Sequence, residues 1–132
     1  MKNTGVWLDR DKAIVVTLNN GKEVLEIINS EIEDFKATSS RLLGGHQEIA
    51  KDRKFLEREK HQFKNYFKDI ALKIKDADAI AQFGPAQTNE KFNKVLHELY
   101  PDVAKKIKGV EKADSMTDNQ VIALVKEFFN SK

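Results

Sequence analysis

The chain has 132 residues and a mass of 15.1 kDa, which is enough for a real hydrophobic core, and we expect one domain over residues 1–132. It contains no cysteine, so disulfides, thiolate metal sites and cysteine nucleophiles are excluded. Residues 1–35 contain four Lys or Arg and seven Asp or Glu, a net charge of −3, whereas residues 36–64 contain eight and four, a net charge of +4. This local basic excess favours a partner that bears phosphates.

The histidines and the N-terminus argue against two further classes of protein. His46, His61 and His97 are isolated, without a ligand spacing such as HExxH, so we expect no metal site and no other cofactor. The first residues, MKNTGVWLDRDK, have no long apolar run, so we expect no signal peptide and no membrane span. We therefore expect the protein in the cytoplasm.

Three strands are predicted at the start of the chain. Residues 4–9 (TGVWLD) are short and apolar, and residues 12–19 (KAIVVTLN) are rich in β-branched side chains. Asn20-Gly21 supplies the positive φ values of a two-residue hairpin turn. A third strand is predicted over residues 23–33, with a bulge or an early end near Asn29-Ser30 where the apolar alternation fails. Together the three strands predict an antiparallel meander.

A basic stretch, residues 36–58 (KATSSRLLGGHQEIAKDRKFLER), leads from the meander into the longest predicted helix. We expect a flexible basic loop over residues 36–50 and a helix over residues 49–75. Apolar side chains recur along that helix at spacings of three, four or seven and predict the stripe that faces the core: Leu56, Phe63, Phe67, Ile70 and Ile74. A basic loop between strongly patterned segments is the candidate functional segment.

Two strand–helix units follow. Residues 77–83 (ADAIAQF) predict a strand that Gly84-Pro85 ends, and Thr88 is the expected N-cap of the next helix, which Pro101 ends or kinks. Residues 107–113 predict a mostly polar strand at a sheet edge. Residues 117–120 (TDNQ) predict a capping box that opens the last helix.

The predicted order of elements is therefore βββαβαβα. Two strand–helix units after an antiparallel meander place the later strands parallel to one of the first three, through crossover connections. We predict an α/β fold with a mixed five-stranded sheet and helices on both faces, which is the ribonuclease-H-like arrangement.

A ribonuclease-H-like sheet makes metal-dependent phosphodiester cleavage a candidate activity. Two-metal cleavage needs three or four converging carboxylates. Asp9, at the end of the first strand, is a candidate ligand, but the fourth strand ends in Gln82-Phe83 and offers no second acid. The turn FGPAQTN could hold a phosphate on free backbone amides, although it has neither a Walker nor a GxGxxG signature. A tight turn capped by Thr88 is the alternative for that segment.

The order of elements, the loop LLGGHQEIAKDR and the run KFLEREKHQFKNYFKDIA resemble the middle domain of archaeal and eukaryotic class-1 peptide chain release factors. That domain also occurs in the ribosome-rescue factor Pelota and in bacterial relatives. The turn FGPAQTNEKF and the closing segment KGVEKADSMTDNQVIALVKEFF are similar to the same pattern, so the resemblance covers residues 4–129. We expect a stand-alone relative of bacterial type, without the codon-reading and partner-binding domains of the release factors.

In release factors, a Gly-Gly-Gln tip after the third strand enters the ribosomal peptidyl-transferase centre and helps water attack the peptidyl-tRNA ester. The resemblance assigns Gly44 and Gly45 to this catalytic tip, where glycine permits close approach to RNA. It makes Gln47 the candidate catalytic side chain. His46 stands between the glycines and Gln47, however, which displaces the glutamine by one residue and leaves hydrolysis of peptidyl-tRNA an open question.

The resulting hypothesis is a small translation-associated protein that binds ribosomal RNA or tRNA, in ribosome rescue or peptide release. The residues expected to contact the nucleic acid are mostly cationic: Arg41, His46, Lys51, Arg53, Lys54 and Arg58. A protein-interaction module without RNA contact is the first alternative, and an RNase-H-like nuclease is the second. The sequence does not indicate an oligomeric state.

Overall fold

The computed structural model describes residues 2–30 and 49–130, and within residues 49–56 it describes the helical backbone but no side chains. The described residues form five strands and four helices, in the predicted order with one short helix added. The strands are β1 (Lys2–Leu8), β2 (Lys12–Asn19), β3 (Lys22–Asn29), β4 (Ala79–Gly84) and β5 (Ile107–Lys112), and the helices are α1 (Ile49–Ile74), α2 (Ala86–Leu99), α3 (Pro101–Ala104) and α4 (Asp118–Asn130).

The strands form one mixed sheet in the order β3-β2-β1-β4-β5. β2 pairs antiparallel with β1 and β3, and β4 pairs parallel with β1 and β5. The hairpin between β2 and β3 turns on Asn20 and Gly21, whose φ angles of 53° and 79° are those that a tight hairpin needs. The predicted meander and the mixed five-stranded sheet are confirmed, and β5 is an edge strand as predicted.

Side chains of β1 alternate between two hydrophobic cores, one on each face of the sheet. Val6 and Leu8 join the core that α1 and α2 cover. Trp7 lies on the other face, where the core includes Val121 and Val125 of α4, and its indole N–H donates to the Ala113 carbonyl at 3.2 Å. The alternation along one strand therefore places helices on both faces of the sheet, as predicted.

The predicted apolar stripe of α1 is the side of the helix that packs on the sheet. Phe67, Ile70 and Ile74 are each at most 2% exposed, and Phe63 is partly buried against the same core. Leu56 belongs to the residues whose side chains are not described. Lys73, on the last turn, forms an ion pair with Glu26 of β3, which ties the C-terminal end of α1 to the sheet.

Some element boundaries differ from the prediction. β3 ends at Asn29, which agrees with the early end expected there, and residues 31–33 of the predicted strand lie outside the described residues. Pro101 does more than end α2, because it is the first residue of the short helix α3, a position where its missing N–H breaks no hydrogen bond. The capping box of α4 is confirmed, since the Gln120 N–H donates to Thr117 Oγ1 at 3.2 Å and the Thr117 N–H donates to Gln120 Oε1 at 2.8 Å.

Candidate nucleic-acid interface

The predicted site residues fall into three groups. The first group lies outside the described residues. It contains the residues of the predicted tip and the arginine that precedes them: Arg41, Gly44, Gly45, His46 and Gln47. Three cations lie on α1 where only the backbone is described: Lys51, Arg53 and Lys54. Arg58 is described and exposed, one turn further along the same helix. The described part of the candidate interface is therefore the helix that follows the tip, and its geometry depends on how α1 is held.

Tyr66 attaches α1 to the turn between β1 and β2. Its side chain is 1% exposed, and its hydroxyl donates a hydrogen bond to the Asp9 carbonyl at 2.9 Å. Burial, with the nearby carboxylates of Asp9 and Asp11, raises the pKa of Tyr66 well above its usual value. The phenol therefore stays protonated and remains a donor throughout the physiological pH range.

Arg10 makes a second attachment between this turn and the helices. Its Nη2 atom donates to Glu59 Oε2 at 2.8 Å, and its guanidinium carbon lies 5.3 Å from the centroid of the Phe63 ring. Lys91 of α2 approaches the same ring, with Nζ 4.8 Å from the centroid. The ring of Phe63 thus contacts one cation from the turn and one from α2. These contacts hold α1 next to the turn and next to α2.

Asp9, the candidate metal ligand, is bonded to the backbone of its own turn. Its Oδ1 atom accepts the backbone N–H groups of Asp11 and Lys12 at 2.8 and 2.9 Å, so the carboxylate organises the turn after β1. Within residues 2–30 and the described side chains of 57–130, no group of three His, Asp or Glu residues could hold a metal ion. The carboxylate cluster that two-metal cleavage requires is not formed by these residues.

The turn between β4 and α2 is built differently from the predicted one. Pro85 occupies the N-cap position of α2, no side chain caps the helix, and the expected cap Thr88 is instead a buried residue inside the first turn. The prediction of a Thr88 cap was therefore wrong. The helix begins earlier because Gly84, with φ at 145°, turns the chain directly into it.

A buried polar network below this turn was missed by the sequence reasoning. Gln82 of β4 is fully buried, and its Nε2 atom donates to Oδ1 and the carbonyl of Asn89 at 2.6 and 2.7 Å. The Nδ2 atom of Asn89 in turn donates to the Glu111 carbonyl of β5 at 3.1 Å. A glutamine inside the otherwise apolar run ADAIAQF was the available signal, because a buried amide requires partners.

The structure contains no helix, among residues 2–30 and 49–130, that is both long and apolar enough to cross a membrane.

Comparisons with known proteins connect this fold to translation factors. No protein-family profile matches the chain. The chain is 34% identical over 104 residues to the protein pelota homolog of Pyrococcus horikoshii, an alignment that covers 74% of this chain and 27% of that protein. The fold is similar to that of Archaeoglobus fulgidus Pelota, with a TM-score of 0.59, 15% identity, and coverage of 96% of this chain and 31% of that one.

A second solved structure with a similar fold is the archaeal translation termination factor aRF1, with a TM-score of 0.57 and 8% identity over 98% of this chain. The chain spans 39% of the length of that factor, and only 27% and 31% of the two Pelota proteins. The similarity therefore concerns one part of larger proteins. The chain is therefore a Pelota-like domain by sequence, and it shares its fold with Pelota and with aRF1.

Proposed function

We propose that this domain acts in translation by binding ribosomal RNA or tRNA through the basic stretch, residues 36–58. The observation that carries the proposal is the 34% identity to a pelota homologue over 104 residues. The similarity of fold to an archaeal translation termination factor supports the same assignment. Ribosome rescue and peptide release are the two processes in which such a domain would act.

The charge of the basic stretch supports contact with a phosphate backbone. Residues 36–58 contain six Lys or Arg and three Asp or Glu, a net charge of +3. Positions 51, 54 and 58 are three and four residues apart on the continuous helix α1, a spacing that places them on one face. Arg58, the described member of this set, is exposed. Cations in such a row can follow successive phosphates of one strand.

The tip adds a second kind of contact. Gly44 and Gly45 have no Cβ, so the backbone there can lie closer to a sugar or a base than any other residue would allow. His46 and Gln47 follow with side chains that donate and accept hydrogen bonds. In our proposal the tip contacts RNA and the cations of α1 hold the domain against the same partner.

Co-sedimentation of the protein with ribosomes, together with its affinity for labelled tRNA, tests the proposal. The double charge reversal Arg53→Glu with Lys54→Glu should weaken RNA binding at least about tenfold, because two phosphate contacts become repulsive. A matched control is Lys105→Glu with Lys108→Glu, an equal charge change at two exposed positions outside α1. Unchanged affinity in the first variant, or equal weakening in both, would contradict a specific RNA contact at α1.

Peptide release is the second candidate function, and the pair Gly44-Gly45 with Gln47 is what favours it. The assay is release of labelled peptide from stalled ribosomes. Release that disappears in Gln47→Ala would extend the proposal from binding to ester hydrolysis. Ribosome binding without release would restrict the function to binding, as expected if His46 displaces the glutamine from its hydrolytic position.

A further inference from the structure

A groove of about 640 Å³ lies between α1 and α2, next to the stretch assigned to RNA. Its described apolar lining is formed by Phe63 and Phe67 of α1 and Val95 and Leu99 of α2. Leu99 is 54% exposed and presents apolar surface to the groove. The groove is open between two helices, so its shape suits an elongated apolar segment and not a compact ligand.

The rim of the groove is positively charged. Among the residues whose side chains are described, four lysines line it, two from each helix: Lys60, Lys64, Lys91 and Lys94. Glu57, Glu59 and Glu98 also line it, but Glu59 is paired with Arg10 at 2.8 Å. Four lysines then face two remaining carboxylates, which leaves an excess of two positive charges around an apolar floor. An occupant that matches this pattern has an apolar face flanked by acidic side chains.

RNA bases that stack on aromatic rings match the groove less well than an apolar face flanked by acidic side chains. Phe63 already has the Arg10 guanidinium and the Lys91 ammonium near its ring, at 5.3 and 4.8 Å from the centroid. Phe67 is only 2% exposed, so it offers no ring face to a base. The remaining apolar lining among the described side chains is aliphatic, whereas single-stranded RNA is held mainly by aromatic stacking. A second copy of the chain would bring two lysine-rich rims together, which repel each other.

We propose that the groove between α1 and α2 binds an amphipathic, acidic helix of a partner protein. Apolar side chains at spacings of three and four on that helix enter the groove beside Val95 and Leu99. Glutamates or aspartates on either side of its apolar face pair with the lysines of the two rims. This inference does not depend on the RNA contact, since none of the described residues that line the groove is a predicted RNA-binding residue.

The test uses the whole chain, labelled for NMR, and a designed 18-residue peptide. The peptide carries leucines at one helical face and glutamates at the other positions. Titration should shift the amide signals of Phe63, Val95 and Leu99. Leu99→Glu should weaken binding at least about tenfold, because it replaces an apolar contact with a carboxylate that the glutamates of the peptide repel. Leu72→Glu is the matched control, because Leu72 is 48% exposed on α1 and does not line the groove.

The charge requirement is tested in the same way. Lys94→Glu should weaken peptide binding several-fold, whereas Lys68→Glu, an exposed lysine of α1 outside the groove, should leave it within about twofold. The same peptide with lysines in place of its glutamates should not bind. Arg53→Glu with Lys54→Glu should leave peptide binding intact, so that failure of this proposal and failure of the RNA proposal give different results.

Three outcomes would overturn the proposal. The first is an absence of shifts at groove residues when the peptide is in large excess. The second is an RNA oligonucleotide that shifts the groove signals and competes with the peptide for them, which would assign the groove to the RNA interface. The third is concentration-dependent dimerisation that Leu99→Glu abolishes and Leu72→Glu does not, which would assign the groove to a second copy of the chain.

Discussion

At the scale of single residues, the glycine at the end of β4 controls how the sheet meets α2. Gly84 has φ at 145°, and a Cβ atom built there would lie 2.1 Å from the Leu8 carbonyl oxygen. The clash is with backbone of the neighbouring strand, so no side-chain movement relieves it. Gly84 therefore satisfies two requirements at once, the left-handed backbone and the close approach to β1.

The prediction for this residue is that Gly84→Ala lowers the free energy of unfolding by roughly 3 to 5 kcal/mol, since backbone strain and a steric clash add. Urea unfolding followed by circular dichroism measures it. Gly21→Ala is the matched control, because Gly21 also has positive φ, at 79°, but a Cβ there meets nothing within 4 Å. That variant should lose only about 1 kcal/mol. Equal losses in the two variants would show that the approach to Leu8 does not matter.

The same turn shows which residue roles can be predicted from sequence. Gly84-Pro85 was correctly predicted to end β4, because glycine and proline act through their own backbone geometry. The roles of Thr88 and Asn89 could not be inferred, because they depend on what lies beneath α2. A threonine three residues after a proline fits a cap by spacing, yet here the helix begins at Ala86 and Thr88 is buried. Gln82 donates to Asn89 of α2, and Asn89 donates in turn to the Glu111 carbonyl of β5, so the network joins three elements that no local pattern connects.

At the scale of elements, α1 is the part of the fold on which both proposals depend. Its N-terminal half carries the expected RNA contacts, and seven residues between Glu57 and Phe67 line the groove. Its position relative to β1 is fixed by the hydrogen bond from Tyr66 to the Asp9 carbonyl and by the contacts of Arg10 with Glu59 and Phe63. The strength of the first link depends on pH, because an ionised phenol cannot donate.

Tyr66 should therefore give the protein a measurable instability at alkaline pH. The pKa of Tyr66 is raised in the folded state, so the unfolded chain releases this proton first as the pH rises above about 10. The stabilisation is complete below that pH and is lost toward the folded-state pKa, at about 1.4 kcal/mol per pH unit. Tyr66→Phe should cost about 1 kcal/mol at pH 7, where the hydrogen bond is lost.

Above pH 10 the difference in unfolding free energy between wild type and Tyr66→Phe should shrink and then change sign. Urea unfolding of both proteins at intervals from pH 7 to pH 11 measures this, and the lysines common to both cancel in the comparison. Curves that stay parallel over the whole range would contradict a raised pKa for Tyr66.

Strands and long helices were the elements that sequence patterns predicted well. β2 has the predicted bounds, and α1 differs from its prediction by one residue, because periods of two and of 3.6 recur over enough positions to be recognised. The short helix α3 was not predicted, since four residues contain no complete period. Pro101 was recognised as a break but not as a start, because a proline at the first position of a helix and one after its end look alike in sequence.

At the scale of the whole molecule, the chain combines a well-defined sheet with a charge distribution that is uneven along the sequence. The order of elements led to the correct sheet, because a meander followed by two strand–helix units has few arrangements without crossing connections. The candidate site could be predicted only as a stretch of sequence. Arg41 and the tip Gly44 to Gln47 lie outside the described residues, and their contribution to binding stays a prediction.

The charge distribution leads to a prediction for the intact protein that depends on no single contact. When a protein neutralises phosphates, the counterions of the nucleic acid are released, so the logarithm of affinity falls linearly with the logarithm of salt concentration. Five cations are expected at the interface: Arg41, Lys51, Arg53, Lys54 and Arg58. If each of them neutralises one phosphate, the slope is about −4.5 on duplex RNA regions and about −3.5 on single strands.

Between 50 and 200 mM KCl, affinity for labelled tRNA should therefore fall about 100-fold to 500-fold. The Arg53→Glu and Lys54→Glu double variant should reduce the magnitude of the slope by about 2, because two phosphate contacts are removed. The control reversal at Lys105 and Lys108 changes the net charge of the protein by the same amount. It should leave the slope unchanged, because these lysines are not expected to contact phosphates. A wild-type slope near zero would mean that phosphate contacts do not hold the domain on RNA. Equal slopes in both variants would mean that net charge, and not contacts made by Arg53 and Lys54, determines binding.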